Sequence, residues 1–323
     1  MRYRVFGRMG WRVSEISFGS WGIGGMWGRR DDREAIRALQ RAAELGISFF
    51  DTALAYGNGH SERLIARALG SRRRDVRIAT KIPPKNFQWP ARPGTPLEDA
   101  FPIDWMIRCT ERSLRHLKTD AIDLQQLHVW NDRWTEREEW RSAVDRLRRD
   151  GKIRAFGVSI NDHQPESALR LVRTGLVDAV QVIYNMFDQS PAKQLLPLCH
   201  RRKVAVIARV PFDEGSLTGT MTAQTRFPRG DWRQYYFTPW RIAETVERVQ
   251  RLSWLLDDRT PTMAVAALKF CLAHPAVATV IPGMRRVAHV EANAAASDGR
   301  RLSAGHVRRL KAHAWPRNFY PFG

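Results

Sequence analysis

Eight short apolar runs recur along the chain, each followed by a stretch with helical signals. They fall at 15–19, 47–50, 76–80, 121–127, 153–158, 179–183, 204–208 and 278–281. Continuous rather than alternating apolarity fits parallel strands covered on both faces. Eight strand–helix repeats argue for an α/β fold closed as a (β/α)8 TIM barrel rather than an open doubly wound sheet. Ahead of them, Tyr3 to Phe6, a turn at Gly7 to Gly10 and Trp11 to Val13 read as an N-terminal β-hairpin. Helix starts are signalled by Asp31-Asp32 and by His60-Ser61-Glu62, and Asp150-Gly151 is a stop. The longest irregular part, 211–239, holds Gly215, Gly219, Pro228 and Gly230. A loop of that length is usually functional. No linker or repeat divides the chain, so 1–323 reads as one barrel domain.

At 323 residues and 43% hydrophobic content, a large core is within reach. No run of 18 apolar residues predicts a membrane span, and the first residues lack the apolar stretch of a secretory signal. Cys109, Cys199 and Cys271 lie far apart, which fits packing in a reducing cytoplasm, the expected location. The net charge is +20, and only eight of the 53 basic residues are lysine. The arginines interleave with Glu138, Glu139 and Asp145 on helix faces, with no nucleic-acid-binding signature, so no nucleic-acid partner is expected. Where lysine does occur, its adjustable pKa is a reason to look for chemistry.

In a barrel all strand C-termini open on one mouth. Asp51 ends the second run, and Tyr56 follows in a loop closed by Gly57-Asn58-Gly59. Lys81 and His128 end the third and fourth runs. Ser159 and Asn161 follow the fifth, Gln181 lies near the sixth and Arg209 ends the seventh. Singly, Asp51 reads equally well as a helix cap and His128 as a satisfied core histidine. Together an acid, a phenol, an amine and an imidazole suit proton transfer coupled to hydride transfer. Tyr56 would give a proton to a carbonyl oxygen. Lys81 would lower the phenol pKa, with Asp51 keeping Lys81 charged and in place. His128 would orient the carbonyl. One histidine without a carboxylate cluster argues against a metal site.

At these residues the chain resembles the aldo-keto reductase family, over nearly its whole length. The opening from Arg8 to Gly19, then Asp51-Thr52-Ala53-Leu54-Ala55-Tyr56-Gly57, Ala79-Thr80-Lys81 and Gln126-Leu127-His128 match that family's start and its Asp, Tyr, Lys, His tetrad. Gly157-Val158-Ser159-Ile160-Asn161, Gln181-Val182-Ile183-Tyr184-Asn185, Gly215-Ser216-Leu217-Thr218-Gly219 and Ile281-Pro282-Gly283 are similar to its later signatures. The resemblance implies NADP(H) bound across the mouth and reversible reduction of aldehydes or ketones. It implies that Ser159 and Gln181 hold the nicotinamide carboxamide, with Asn161 as a third contact. On the same resemblance Trp21, Arg209, Pro211, Phe212, Gly215, Leu217, Gly283, His289 and Asn293 join the cofactor set. Four positions depart from the family pattern: Ile160 stands in place of an asparagine, Arg209 of an aromatic ring, Ala292 of a glutamate and His289 of an arginine or glutamine.

A Rossmann reading fails, because Gly22-Ile23-Gly24-Gly25 has the wrong spacing. The helix after the last run opens with Arg285-Arg286, a natural anion site for a 2′-phosphate, though both also read as surface arginines. Trp21, Trp27, Tyr56, Trp89, Trp130 and the loop 212–237 are expected to line a pocket for an apolar or aromatic carbonyl or a sugar. The expected function is an NADPH-dependent reductase of a small-molecule carbonyl, with no membrane partner. The alternative is a nucleotide-sensing regulatory subunit, as in the potassium-channel β subunits of the same family. Nothing in the sequence sets the oligomeric state.

Overall fold

The computed structural model describes residues 1–320. Strands β1 (Tyr3–Phe6) and β2 (Trp11–Ser14) pair antiparallel as the expected hairpin. The other eight form a single parallel sheet in chain order: β3 (Phe18–Gly19), β4 (Phe49–Asp51), β5 (Arg77–Ile82), β6 (Ile122–Leu127), β7 (Ile153–Ser159), β8 (Ala179–Ile183), β9 (Ala205–Arg209) and β10 (Val277–Val280). The sheet curls until its edges meet. Isolated parallel bridges join Ile16 to Val280 and Gly19 to Gly283. Ser17 N donates to Val280 O at 2.9 Å and Gly19 N to Pro282 O at 3.0 Å.

Side chains along a strand alternate between faces. One set, Phe49, Ala79, Leu124, Ala155, Ala179, Ala205, Ile207 and Ala278, clusters with Phe6 and Val13 of the hairpin, which plugs the lower end. The other set, including Phe50, Ile78, Phe156, Val158, Val180 and Val206, packs under the helices. This parity fixes what reaches the mouth. With Phe49, Ala79, Ala179 and Ile207 on the inner face, the inner positions one step further along are Asp51, Lys81, Gln181 and Arg209.

The signalled starts at Asp31-Asp32 and His60 give the helices Asp32–Glu44 and His60–Leu69. Asp31 accepts from Glu34 N at 3.0 Å to cap the helix Asp32–Glu44. Thr262 caps Met263–Ala273 and Ser303 caps Ala304–Leu310 by the same device. Over 239–255 the helix Pro239–Gln250 is followed by a single turn, Ser253–Leu255. The loop 211–239 contains the turn Asp213–Thr218 and the short helix Arg233–Tyr236. All three cysteines are buried and free. Among the described residues no helix is long and apolar enough to cross a membrane, and no group of three or more His, Cys, Asp or Glu is placed to hold a metal.

Candidate active site

Asp51, Tyr56, Lys81 and His128 come together at the mouth. Lys81 Nζ lies 2.6 Å from Asp51 Oδ2 and donates to Thr52 O at 2.8 Å. It reaches Tyr56 Oη at 3.4 Å, completing a line from carboxylate through ammonium to phenol. Lys81 is fully buried, and these oxygens supply the hydrogen bonds that burial takes from water. The His128 ring stands edge-on to Tyr56, centroids 5.7 Å apart, with Trp89 on its other side at 5.8 Å.

The loop carrying Tyr56 presses directly on the segment after β3. Gly57 has φ +62°, and a Cβ there would lie 2.4 Å from Gly24 O. Gly24 in turn would place a Cβ 2.9 Å from the Tyr56 Cβ. These two glycines let the backbones approach closely enough to seat the phenol beside Lys81.

Burial moves both titrating groups toward their neutral forms. The Tyr56 phenol is raised above its usual pKa by desolvation, which outweighs the opposing pull of Lys81. The sequence-based expectation that Lys81 lowers this pKa thus describes one contribution and not the net direction. His128 falls well below the usual imidazole range, first through burial and then through the charges of Lys81 and Arg209. At neutral pH the mouth holds a protonated phenol and a neutral imidazole beside the Lys81–Asp51 salt bridge.

The network continues sideways. Gln181 Nε2 donates to Asp51 Oδ1 at 2.7 Å, and Ser159 Oγ donates to Gln181 Oε1 at 3.5 Å. Arg209 donates through Nη2 to Asp162 Oδ1 at 2.6 Å and to Ile160 O at 3.0 Å, while its Nε has no partner among the described residues. Asn161 sits elsewhere in the network. Its Oδ1 accepts from Ala91 N and its Nδ2 donates to Ala91 O, both at 3.1 Å, which ties β7 to the Trp89 loop.

Indole rings wall the other side. Trp21 lies 5.1 Å from Trp232, 5.4 Å from Trp27 and 6.4 Å from Tyr56, centroid to centroid. Trp130, expected in this wall, belongs to the core instead: it is fully buried and packs edge-on to Trp134 and Trp140. A separate polar hollow of about 660 Å³, lined by Lys85, Gln88, Arg92 and Asp99 among others, contains none of the four tetrad groups.

Two partners escaped the sequence. The Tyr320 hydroxyl donates to Glu214, and Arg317 pairs with Asp213, so the C-terminal segment closes over the turn Asp213–Thr218. The one available signal was the aromatic run Trp315-Pro316-Arg317-Asn318-Phe319-Tyr320. Burial pushes the Glu214 carboxyl up from 4.5 to about 8. Its folded pKa is raised, so folding takes up a proton, and the stability present below about pH 4.5 is lost as the pH rises through about 8. Glu214→Gln is therefore expected to match the wild type at pH 4 and to exceed it by a few kcal/mol at pH 9, since each tenfold change in proton affinity is worth about 1.4 kcal/mol. Denaturant melts at the two pH values check this; equal differences at both would refute the buried-acid assignment.

The family model for the Aldo/keto reductase family matches residues 15–314. The chain belongs to the aldo/keto reductase family. Aldo-keto reductase YhdN of Bacillus subtilis is 31% identical over 298 residues, covering 90% of this chain and 87% of that protein. Aldo-keto reductase yakc [NADP(+)] of Schizosaccharomyces pombe is 28% identical over 289 residues, covering 87% and 83%. Among solved structures, the holo form of aldo-keto reductase AKR11C1 from Bacillus halodurans superposes with a TM-score of 0.75 at 27% identity, covering 100% of this chain and 99% of that one.

The residues present fit a nicotinamide cofactor at its ring end. Ser159 Oγ makes only a long hydrogen bond, Gln181 Oε1 keeps accepting capacity, and the Arg209 Nε is an orphaned buried donor. Phe212 O accepts from Gly215 N and Leu217 N, both at 2.9 Å, which folds the turn after Pro211. Leu217 is fully buried and its N–H is taken by Phe212 O, so this expected cofactor residue offers no surface at the mouth. Gly283 is open, with nothing within 4 Å of a Cβ placed there. At the far end Arg286 and His289 are exposed, Arg285 is partly buried and Asn293 is 6% exposed.

Proposed function

We propose that this chain is an NADP(H)-dependent carbonyl reductase, folded as one closed (β/α)8 domain. The observation that carries the reading is the line Asp51–Lys81–Tyr56 with the neutral His128 ring against the phenol. Membership of the family and the NADP(+) in the yakc relative's name support the cofactor. The bound cofactor would supply hydride to the carbonyl carbon.

The chain's own residues account for the rest. Tyr56 donates its hydroxyl proton to the carbonyl oxygen as charge builds there. Lys81 steadies the phenolate left behind, and Asp51, itself held by Gln181, fixes Lys81. The neutral His128 offers an N–H to the same oxygen and adds no charge that would repel a second proton donor. Ser159 and Gln181 orient the ring's carboxamide. The indoles of Trp21, Trp27 and Trp232, with Trp89 opposite, favour an apolar or aromatic carbonyl or a sugar stacked on a ring face.

The test is loss of NADPH absorbance against a panel of aldehydes, ketones and sugars. Turnover of at least one aromatic or apolar carbonyl is expected. Tight NADPH binding with no turnover on any of them would overturn the reductase reading in favour of a nucleotide-sensing subunit.

A further inference from the structure

Of the groups offered to a 2′-phosphate at the start of the helix Val287–Ala295, the Val287 N–H and Arg285 are already engaged. Val287 N donates to Glu34 Oε1 at 2.9 Å, so a carboxylate from the helix Asp32–Glu44 sits on this N-terminus. Arg37 Nε holds the other oxygen, Glu34 Oε2, at 3.1 Å. The hydrogen bond from Val287 N, followed by Arg37, keeps the Glu34 carboxyl below its usual range, so it is ionised at neutral pH. Arg285 is committed too: Nη1 donates to Trp27 O at 2.5 Å and Nη2 to Arg29 O at 2.9 Å. Arg286, the N-cap residue, makes no side-chain cap.

A carboxylate at this place offers acceptors to ribose hydroxyls and opposes a phosphate. We propose that Glu34 is a specificity-determining residue that weighs against the 2′-phosphate of NADPH and accommodates the unphosphorylated ribose of NADH. This rests on the nicotinamide reading above. Arg37 acts with it by holding the carboxylate in the seat the phosphate would take. Arg286 is the cation left to favour the phosphate, so the two opposing charges set the preference between them.

The test is direct binding, read as quenching of tryptophan fluorescence by NADPH and by NADH at fixed ionic strength. Glu34→Gln keeps the shape and can still accept from Val287 N, so the helix cap survives while the charge is lost. The ratio of Kd for NADH to Kd for NADPH is expected to rise about tenfold or more. Loss of a purely structural cap would weaken both nucleotides alike and leave the ratio unmoved. A ratio within about twofold of the wild type, in both Glu34→Gln and Glu34→Ala, overturns the proposal. If the wild type binds neither nucleotide, the nicotinamide reading itself falls and takes this one with it; binding of both with an unmoved ratio removes Glu34 alone.

Discussion

Tyr56→Phe is expected to lower kcat for carbonyl reduction by about 10²–10⁴-fold, the usual range for a positioned general acid. The change removes one oxygen and leaves the ring beside Trp21 and edge-on to His128. Binding of NADPH is therefore expected to stay within about threefold of the wild type, an affinity change of less than about 1 kcal/mol. Fluorescence titration and steady-state rates on the same preparation separate the two. The pH profile follows from the direction of the shifts. Burial raises the phenol above 10, so the donor stays protonated through the neutral range and the reduction rate falls only under strongly alkaline conditions. Burial and nearby cations lower His128, so no limb near 6.5 is expected. A variant that keeps more than about a tenth of wild-type turnover would remove Tyr56 as the proton donor.

Lys81→Met is expected to cost about 3–5 kcal/mol of stability, because it strands a buried carboxylate. Asp51 is 2% exposed and would keep only the Gln181 amide. The companion variant Asp51→Asn/Lys81→Met leaves no charge behind and is expected to recover most of that loss. Neither variant is expected to reduce a carbonyl, since nothing then steadies the phenolate. Denaturant melts of the two proteins decide the matter: if the single variant is as stable as the wild type, the pair does not hold the mouth together. The contrast between stability regained and activity still absent distinguishes an energetic role for the pair from its chemical one.

Much of this site was legible in the order of residues. The tetrad could be found because each member lies at or just beyond a strand end, and period-two alternation carries Asp51 and Lys81 inward above a layer of apolar side chains. Trp130 shows where that rule stops. It lies two residues beyond His128, but β6 has ended at Leu127, and the chain turns the indole into the core beside Trp140. Asn161 likewise falls past the end of β7, where its amide is taken by Ala91 from a loop 70 positions away. Neither outcome follows from spacing, because outside a strand the backbone no longer dictates direction.

Residue order alone is enough to say which chemical groups stand at the mouth. Periodicity and strand ends are short-range properties, and they place an acid, a phenol, an amine and an imidazole on one rim. The electrical state of those groups needed the packed molecule. Whether Lys81 or burial governs the Tyr56 phenol depends on desolvation, and so does the neutrality of His128 and Glu214. Which charges cancel is likewise a matter of contacts between distant segments, as in Arg209 with Asp162 and Arg317 with Asp213. So is the seating of Glu34 on Val287 N, 253 positions along the chain. Coulomb and solvation energies follow distances in space, and those distances are set only when the helices and the curled sheet have packed together.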